Sequence, residues 1–446
     1  MAAPRGLPPA ARGGGVSARA YAGRGERVAP ARAADAPPTR GTRVLTFMDY
    51  YLPGFRAGGP IPAVANLVEA LAPDVRFSVV TRDHDLGVDA PYPQARRGAW
   101  AQAGSARVRY ASRWGLGALP LMRLVRTEPH EVVYLNSFFS RISIRLLVLR
   151  WLGLVPRAGL VVAPRGEFAA AALRTRRWRK RAWMAVSARL GVCRDVVWQA
   201  SSAHEAEEIR AFWDADVPTF LTPELPSALG PAVARSPKRR GEVRLVSVAR
   251  ISRIKNIDGA LRMLAGVRTP VALEVYGPIE DAAYAEECRA AAAALPAHVR
   301  VRFHGELPRE RLPEVLADAH AFYLPTLREN YGHAIIEAMS AGCPVLISDR
   351  TPWRALEARG VGWDLPVDDA GAFRAAVERL AAMPAEEHAR FSAAAAAYAR
   401  EVAADPGPLE QHRALFRAAR GAAPGGGAGD PVPVPVLARR SGPCAS

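Results

Sequence analysis

A chain of 446 residues exceeds what one hydrophobic core usually fills, so two domains are expected. Half of its residues are apolar and under a quarter are charged, the composition of an ordinary globular protein. The formal net charge of +17 is concentrated: residues 1–40 hold seven arginines against Glu26 and Asp35, and residues 141–181 hold ten arginines and Lys180 against Glu167. The rest is nearly neutral, which directs attention to what one basic segment touches.

Four cysteines, Cys193, Cys288, Cys343 and Cys444, include no CxxC pair. That argues against a disulfide framework and a zinc site, and suits a reducing, cytosolic compartment. The most apolar region, Ile142 to Val162, is interrupted by Arg145, Arg150 and Arg157, too often for a membrane span. The N-terminus lacks the continuous apolar run of a signal peptide. Aromatic residues interleave little with the cations and no DNA or RNA motif occurs, so nucleic acid is not an expected partner.

In chain order, residues 1–41 read as a disordered tail rich in Ala, Gly, Pro and Arg. Residues 42–225 alternate short apolar runs with longer helical patterns, the mark of βαβ units on a parallel sheet. Their candidate strands are Arg43–Met48, Arg76–Thr81, Arg107–Tyr110, Glu131–Leu135, Gly159–Ala163 and Val196–Ala200. A polar, proline-containing linker follows at 226–241. Residues 242–404 repeat the alternation, with strands at Val243–Ala249, Ala272–Tyr276, Arg300–Phe303, Ala321–Pro325, Pro344–Ser348 and Gly362–Leu365. Helices at Ala370–Ala382, Glu386–Ala404 and Leu409–Arg420 close the chain, residues 405–420 forming a closing helix, before a low-complexity tail at 421–446. The fold class predicted is α/β, two Rossmann-like domains facing across a cleft, with ligand at the carboxyl ends of their strands.

Several loops at strand ends carry chemistry. After the first strand, Gly58, Gly59 and Pro60 allow close backbone approach to a ligand and open a helix. Thr81-Arg-Asp83-His-Asp85 and Ala163-Pro-Arg165-Gly166-Glu167 also fall at strand ends. Asp83-His-Asp85 spells a DxD metal signature, discounted because a three-residue match is common by chance. Arg250 and Lys255, five positions apart after a strand, suit a diphosphate, one by forked hydrogen bonds and one as a point charge. The most informative stretch runs from Tyr323 to Ser348 and parses as strand, loop, helix, turn, strand. Glu329 lies in its loop and Glu337 lies eight positions on, in the helix. Asn330, Tyr331 and Gly332 bring backbone N–H groups to the helix N-terminus, where an anion binds readily.

That stretch, with Glu337-Ala-Met-Ser-Ala-Gly-Cys-Pro-Val345, resembles the E-x7-E region of retaining glycosyltransferases of family four, which have the GT-B fold. Tyr331 stands where Phe is more usual. The resemblance implies a nucleotide-sugar donor acting as co-substrate with no cofactor, and the two-domain pattern argues for neutralisation of its diphosphate by Arg250, Lys255 and helix dipoles instead of a metal. The resemblance assigns Arg250 and Lys255 to the donor diphosphate, Glu329 to the sugar and Glu337 to the ribose. Gly305, in Val301-Arg-Phe-His-Gly305-Glu-Leu, resembles the family loop facing the base. Gly58 and Gly59 resemble the loop that meets the diphosphate from across the cleft. The segments around Asp83 and around Arg165 and Glu167 resemble surface-polysaccharide assembly enzymes, making these three residues acceptor-side candidates. Many family members have His where Arg165 stands, so no catalytic His is assigned. The resemblance implies transfer with retention to a hydroxyl acceptor, the leaving phosphate taking its proton. A nucleotide-sugar 2-epimerase is the alternative on the same architecture.

The basic segment 141–181 combines Leu146, Leu147, Val148, Leu149, Trp151 and Leu152 with Arg174, Arg176, Arg177, Arg179, Lys180 and Arg181, and Trp178 and Trp183 lie among or beside these cations. This composition predicts a surface on an anionic membrane leaflet. A cytoplasmic enzyme peripheral on the inner face of the cell membrane, with a polyprenyl-diphosphate-linked acceptor, is the expectation.

Overall fold

In a computed structural model of the chain, residues 41–422 are described apart from 94, 97, 170–171, 174–176, 214–215 and 228–233. The two expected tails lie outside the described residues except at their inner ends, as do Arg174 and Arg176.

The first half builds β1 (Thr42–Met48), α1 (Pro60–Leu71), β2 (Val75–Arg82), β3 (Trp100–Ala103), β4 (Ala106–Ala111), α2 (Ala118–Thr127), β5 (Val132–Asn136) and α3 (Arg141–Trp151). It continues with β6 (Gly159–Ala163), α4 (Arg177–Arg189), β7 (Val196–Ala200), α5 (Ala203–Phe212) and β8 (Thr219–Leu221). These strands form one sheet in the order β3-β4-β2-β1-β5-β6-β7-β8, parallel except for the β3–β4 pair. Every residue of β5, β6 and β7 is buried, because helices cover both faces of a parallel sheet. The edge strands β3 and β8 are short and were not expected from the sequence; four and three residues give too little periodicity.

The second half runs β9 (Val243–Val248), α6 (Ile257–Leu264), β10 (Val271–Tyr276), α7 (Ala282–Ala293), β11 (Val299–Gly305), α8 (Leu312–Asp318), β12 (Ala321–Leu324), α9 (His333–Ser340), β13 (Val345–Ser348) and β14 (Gly362–Leu365). Its sheet is wholly parallel, in the order β11-β10-β9-β12-β13-β14. The three terminal helices are α10 (Ala370–Ala382), α11 (Ala385–Ala404) and α12 (Gly407–Gly421). In both halves the sheet grows to one side and then reverses, at β1/β5 and at β9/β12. The loops leaving those strand pairs diverge and open a crevice at their carboxyl ends.

α12 does not cover the second sheet. It returns to the first, where Leu415, Phe416 and Ala419 join the core of β1, β2 and α1. The Phe416 ring meets Phe77 and Tyr134 edge-on at 5.7 and 5.5 Å. A Cβ on Gly159 would lie 2.1 Å from the Ala419 carbonyl oxygen, so only glycine lets helix and strand approach this closely. Gly159→Ala is therefore expected to destabilise the fold by roughly 1–3 kcal/mol, the usual cost of overpacking. A melting temperature equal to wild type would show that the helix does not pack there as described.

α3 is a core helix. Ile142, Leu146, Leu147 and Leu149 are buried, which corrects the expectation that this leucine run faces outward; Trp151 and Leu152 alone turn outward at its end. Its start is fixed by Ser140, whose Oγ accepts the Ser143 N–H at 3.2 Å.

Candidate functional site

β9 and β12 are neighbours at the reversal of the second sheet, and each releases one charged loop. After β9, Arg253–Lys255 form a single 3-10 turn closed by Asn256 in the left-handed region (φ +55°). Asn256 Nδ2 donates to the Pro325 carbonyl at 2.9 Å, and Thr326 Oγ1 donates to the Ile254 carbonyl at 2.9 Å. These bonds lock the two loops together and bring Lys255 against Glu329, with which it forms an ion pair. Both side chains are about 15% exposed (15% and 14%), so the pair sits at the edge of the cleft floor and feels less solvent screening than a surface pair.

The Glu329 loop is braced from behind. Its own N–H donates to the Arg350 carbonyl at 2.9 Å, and Trp353 Nε1 donates to the Tyr331 carbonyl at 2.6 Å. The Tyr331 ring packs edge-on against Trp353 at 5.3 Å, so it holds the loop in place. Gly332 then takes φ +83° at the N-cap of α9; a Cβ there would be strained and would come within 2.8 Å of Ile335 Cδ1. The first turn of α9, at His333, Ala334 and Ile335, lines the crevice at the positive end of the helix. One to two turns along, Glu337 Oε1 accepts from Ser227 Oγ at 3.3 Å and from Arg309 at 3.2 Å.

The first domain closes the other side. Asp85 Oδ2 accepts the N–H groups of Phe55 and Arg56 at 2.9 and 3.2 Å, shaping the glycine loop that follows β1. A Cβ on Gly58, at φ +73°, would meet Arg250 Nε at 3.1 Å, whereas Gly59 faces open space. Arg250 itself is paired with Glu280 at 2.6 Å. Among the described residues two ion pairs span the two domains, Arg56–Glu306 at 2.9 Å and Arg328–Glu208, which is bidentate at 2.7 and 3.0 Å, and His333 Nε2 meets Glu224 at 2.7 Å.

The floor between the domains is a polar network. Arg165 and Gly166 both take left-handed conformations, φ +56° and +78°. The Arg165 guanidinium donates to Glu224 at 3.0 Å, to the Tyr134 hydroxyl at 2.8 Å and to Asn136 Oδ1 at 2.9 Å. Glu224 is thus held between the Arg165 guanidinium and the His333 imidazole, with both partners all but buried. Burial alone would push its carboxyl up. The bonds from His333 and Arg165 outweigh that and hold it below the usual glutamate range.

Together these walls enclose a cleft of about 1200 Å³. Among the residues singled out in the sequence, Gly58, Gly59, Arg165, Arg250, Lys255, Glu329, Asn330, Tyr331, Gly332 and Glu337 all line it. Three do not. Gly305, at φ +75°, ends β11 two residues before Leu307, which does line the cleft. Asp83 is 3% exposed and bonded to His84 at 2.8 Å. Glu167 accepts from the Ser137 hydroxyl and the Phe138 and Phe139 N–H groups at 2.6, 2.7 and 3.2 Å. Burial pushes the Glu167 carboxyl up against these bonds. Among the described residues no group of three His, Cys, Asp or Glu side chains converges to hold a metal ion.

Glu224, His333, Glu208 with Arg328, and Glu280 were not expected from the sequence. One signal was present. Glu224 sits in Thr222-Pro-Glu-Leu-Pro226, where two prolines fix the backbone around a single carboxylate.

Residues 232–398 match the family model of the group 1 glycosyl transferases. No curated protein matches by sequence. Solved structures similar to this chain include the sucrose-phosphate synthase of Thermosynechococcus elongatus, 18% identical, with a TM-score of 0.61 over 84% of this chain and 98% of that one. HepE from Anabaena, in complex with UDP and glucose, is 16% identical with a TM-score of 0.59, covering 84% and 100%. WaaG, a glycosyltransferase involved in lipopolysaccharide biosynthesis, is 13% identical with a TM-score of 0.56, covering 83% and 98%. The fold is GT-B.

Proposed function

We propose that this chain is a nucleotide-sugar-dependent glycosyltransferase acting with retention. One observation carries the reading: Arg250, Lys255 and the N-terminus of α9 at Gly332 converge on the same cleft as the carboxylates Glu329 and Glu337. Cations and helix dipole suit a diphosphate. A carboxylate on each side suits hydroxyl-bearing groups, the sugar at Glu329 and the ribose at Glu337. The match over residues 232–398 supports the activity, and the UDP and glucose in HepE are a precedent for the ligand type.

In this reading residues 242–404 bind the donor and residues 42–225 receive the acceptor. The anomeric C–O bond to the diphosphate breaks, the acceptor oxygen bonds to that carbon, and the acceptor proton passes to the leaving phosphate. Negative charge grows on the diphosphate, where Arg250, Lys255 and the α9 N–H groups stand. Charge neutralisation by these groups needs no metal, so activity should survive exhaustive chelation. The reaction belongs on the cytosolic side of a membrane, with a lipid-linked glycan as acceptor. Nothing in the site favours the epimerase alternative.

The carboxylates separate the roles. Glu329→Ala should lower kcat, and Glu337→Ala should chiefly raise the donor KM. Each loses charge-assisted hydrogen bonds worth about 1.5–3 kcal/mol. Release of nucleoside diphosphate from a panel of donors measures both. Wild-type kinetics in both variants, with the fold intact, would remove the assignment.

A further inference from the structure

α4 has its amphipathic pattern turned outward. Its inner face is narrow: Met184 and Ser187 are buried, and Lys180 reaches back to donate to the Ala172 carbonyl at 2.7 Å. On the outer face, Trp178, Ala182 and Val186 follow one another at four-residue spacing and lead to Leu190 just beyond the helix. Trp178 is 71% exposed, and Val186 and Leu190 are each 48% exposed. The line continues onto the end of α3, because Trp151 Nε1 donates to the Leu190 carbonyl at 3.0 Å. Trp151 and Leu152 are themselves 44% and 53% exposed.

Cations flank this apolar line. Arg177, Arg179, Arg181 and Arg189 are exposed, Arg179 lying over the Trp178 ring at 5.2 Å. The sequence holds no carboxylate between Glu167 and Asp195. Among the described residues none of these four arginines has an ion-pair partner. An outward apolar stripe with uncompensated positive charge on both sides is the surface chemistry of the boundary between lipid head groups and acyl chains. A solvated helix would carry mixed charges and no such stripe.

We propose that the outer face of α4, extended by Trp151 and Leu152, inserts shallowly into an anionic bilayer. The anchor is therefore this stripe, and the leucines of α3 take no part. The orientation has a consequence for the cleft. Ala172, which takes the Lys180 ammonium, lines the first-domain wall of the cleft. Docking on α4 holds that wall close to the membrane, so the acceptor is an amphiphile that enters from the lipid surface. This last step rests on the glycosyltransferase reading; the docking itself does not.

The test uses the full chain and vesicles of phosphatidylcholine, with or without about one third phosphatidylglycerol. Wild type should co-sediment with the anionic vesicles only. Val186→Glu with Leu190→Glu should cut the bound fraction about tenfold, since both positions point into the apolar layer. Replacing Arg177, Arg179 and Arg181 with Gln should weaken binding and reduce its salt dependence. Both exposed sets lie outside the cleft, so nucleoside diphosphate release in solution should stay at the wild-type rate, which keeps this test separate from that of the activity. Wild type left in the supernatant, or a Val186/Leu190 variant that binds as wild type does, overturns the proposal. So does a wild-type dimer that the same variant dissociates, which would make the stripe a subunit interface.

Discussion

Lys255→Ala enzyme should lose about 10²–10³-fold in kcat, the loss typical when one preorganised group aimed at developing charge is removed. The geometry predicts more for Lys255 than for Arg250. Lys255 is 15% exposed and is the partner of Glu329; without it that carboxylate faces the incoming diphosphate uncompensated. Two negative groups at close range in a partly dry cleft repel strongly. Arg250 is 30% exposed and pairs with Glu280, a carboxylate 46% exposed that solvent can screen. Arg250→Ala should therefore be the milder of two severe variants. Lys255→Ala with Glu329→Gln should recover part of the donor KM but not kcat, because repulsion is relieved while the charge stabilising the leaving group is still missing. The measurement is steady-state nucleoside diphosphate release in excess chelator. A Lys255→Ala enzyme within threefold of wild type would sink the donor-site assignment, and activity that vanishes in chelator and returns with Mg²⁺ or Mn²⁺ would restore a metal to the site.

Glu224→Ala should be among the most destabilising single changes in the protein, by about 3–5 kcal/mol. It removes the carboxylate and leaves the Arg165 guanidinium and the His333 imidazole facing each other, both 8% exposed. The pH dependence has a definite sign. The folded carboxyl titrates below its ordinary range, so the unfolded state binds the proton first as pH falls. The stability contributed by Glu224 is thus complete above the usual glutamate range and is lost as pH drops through the depressed folded value. Glu224→Gln should lower the melting temperature at neutral pH and flatten the acid limb of the profile. Calorimetric melts across that range provide the check. A Glu224→Ala protein within 1 kcal/mol of wild type would mean that water reaches the network freely.

Both sheets could be read from the chain because parallel strands buried on two faces are continuous apolar runs; Gly159–Ala163 and Val196–Ala200 appear in the structure with the boundaries expected. That Arg250, Lys255, Glu329 and Glu337 share one cleft was equally legible, since each sits within a few residues of a strand end or helix start, where short-range spacing fixes position. The network of Glu224 was not. It joins Glu224 to Asn136 through Arg165 and to His333 across the domain boundary, contacts 29 to 109 residues apart that no local period encodes. The DxD segment illustrates the converse. Asp85 proved to shape a backbone loop, a task that leaves the same two-residue spacing in the sequence as a metal site would. Along α3 the alternation of leucine with arginine suggested a surface, yet the leucines are core and the arginines reach carbonyl oxygens, Arg145 to Leu116 and Arg150 to Ala158.

The return of α12 to the first sheet governs how this protein is made. During synthesis β1, β2 and α1 leave the ribosome more than 300 residues before the helix whose Leu415 and Phe416 cover them. The Arg413–Asp74 ion pair spans 339 residues. Until that helix arrives, Phe77 and Tyr134 present bare aromatic faces beside β6, whose Gly159 offers no side chain to cover the gap. At ordinary translation rates of about 5–20 residues per second the wait lasts tens of seconds, long enough for a chaperone to be needed. A ribosome-bound chain halted before residue 407 should accordingly be far more sensitive to protease in its first domain than the released protein.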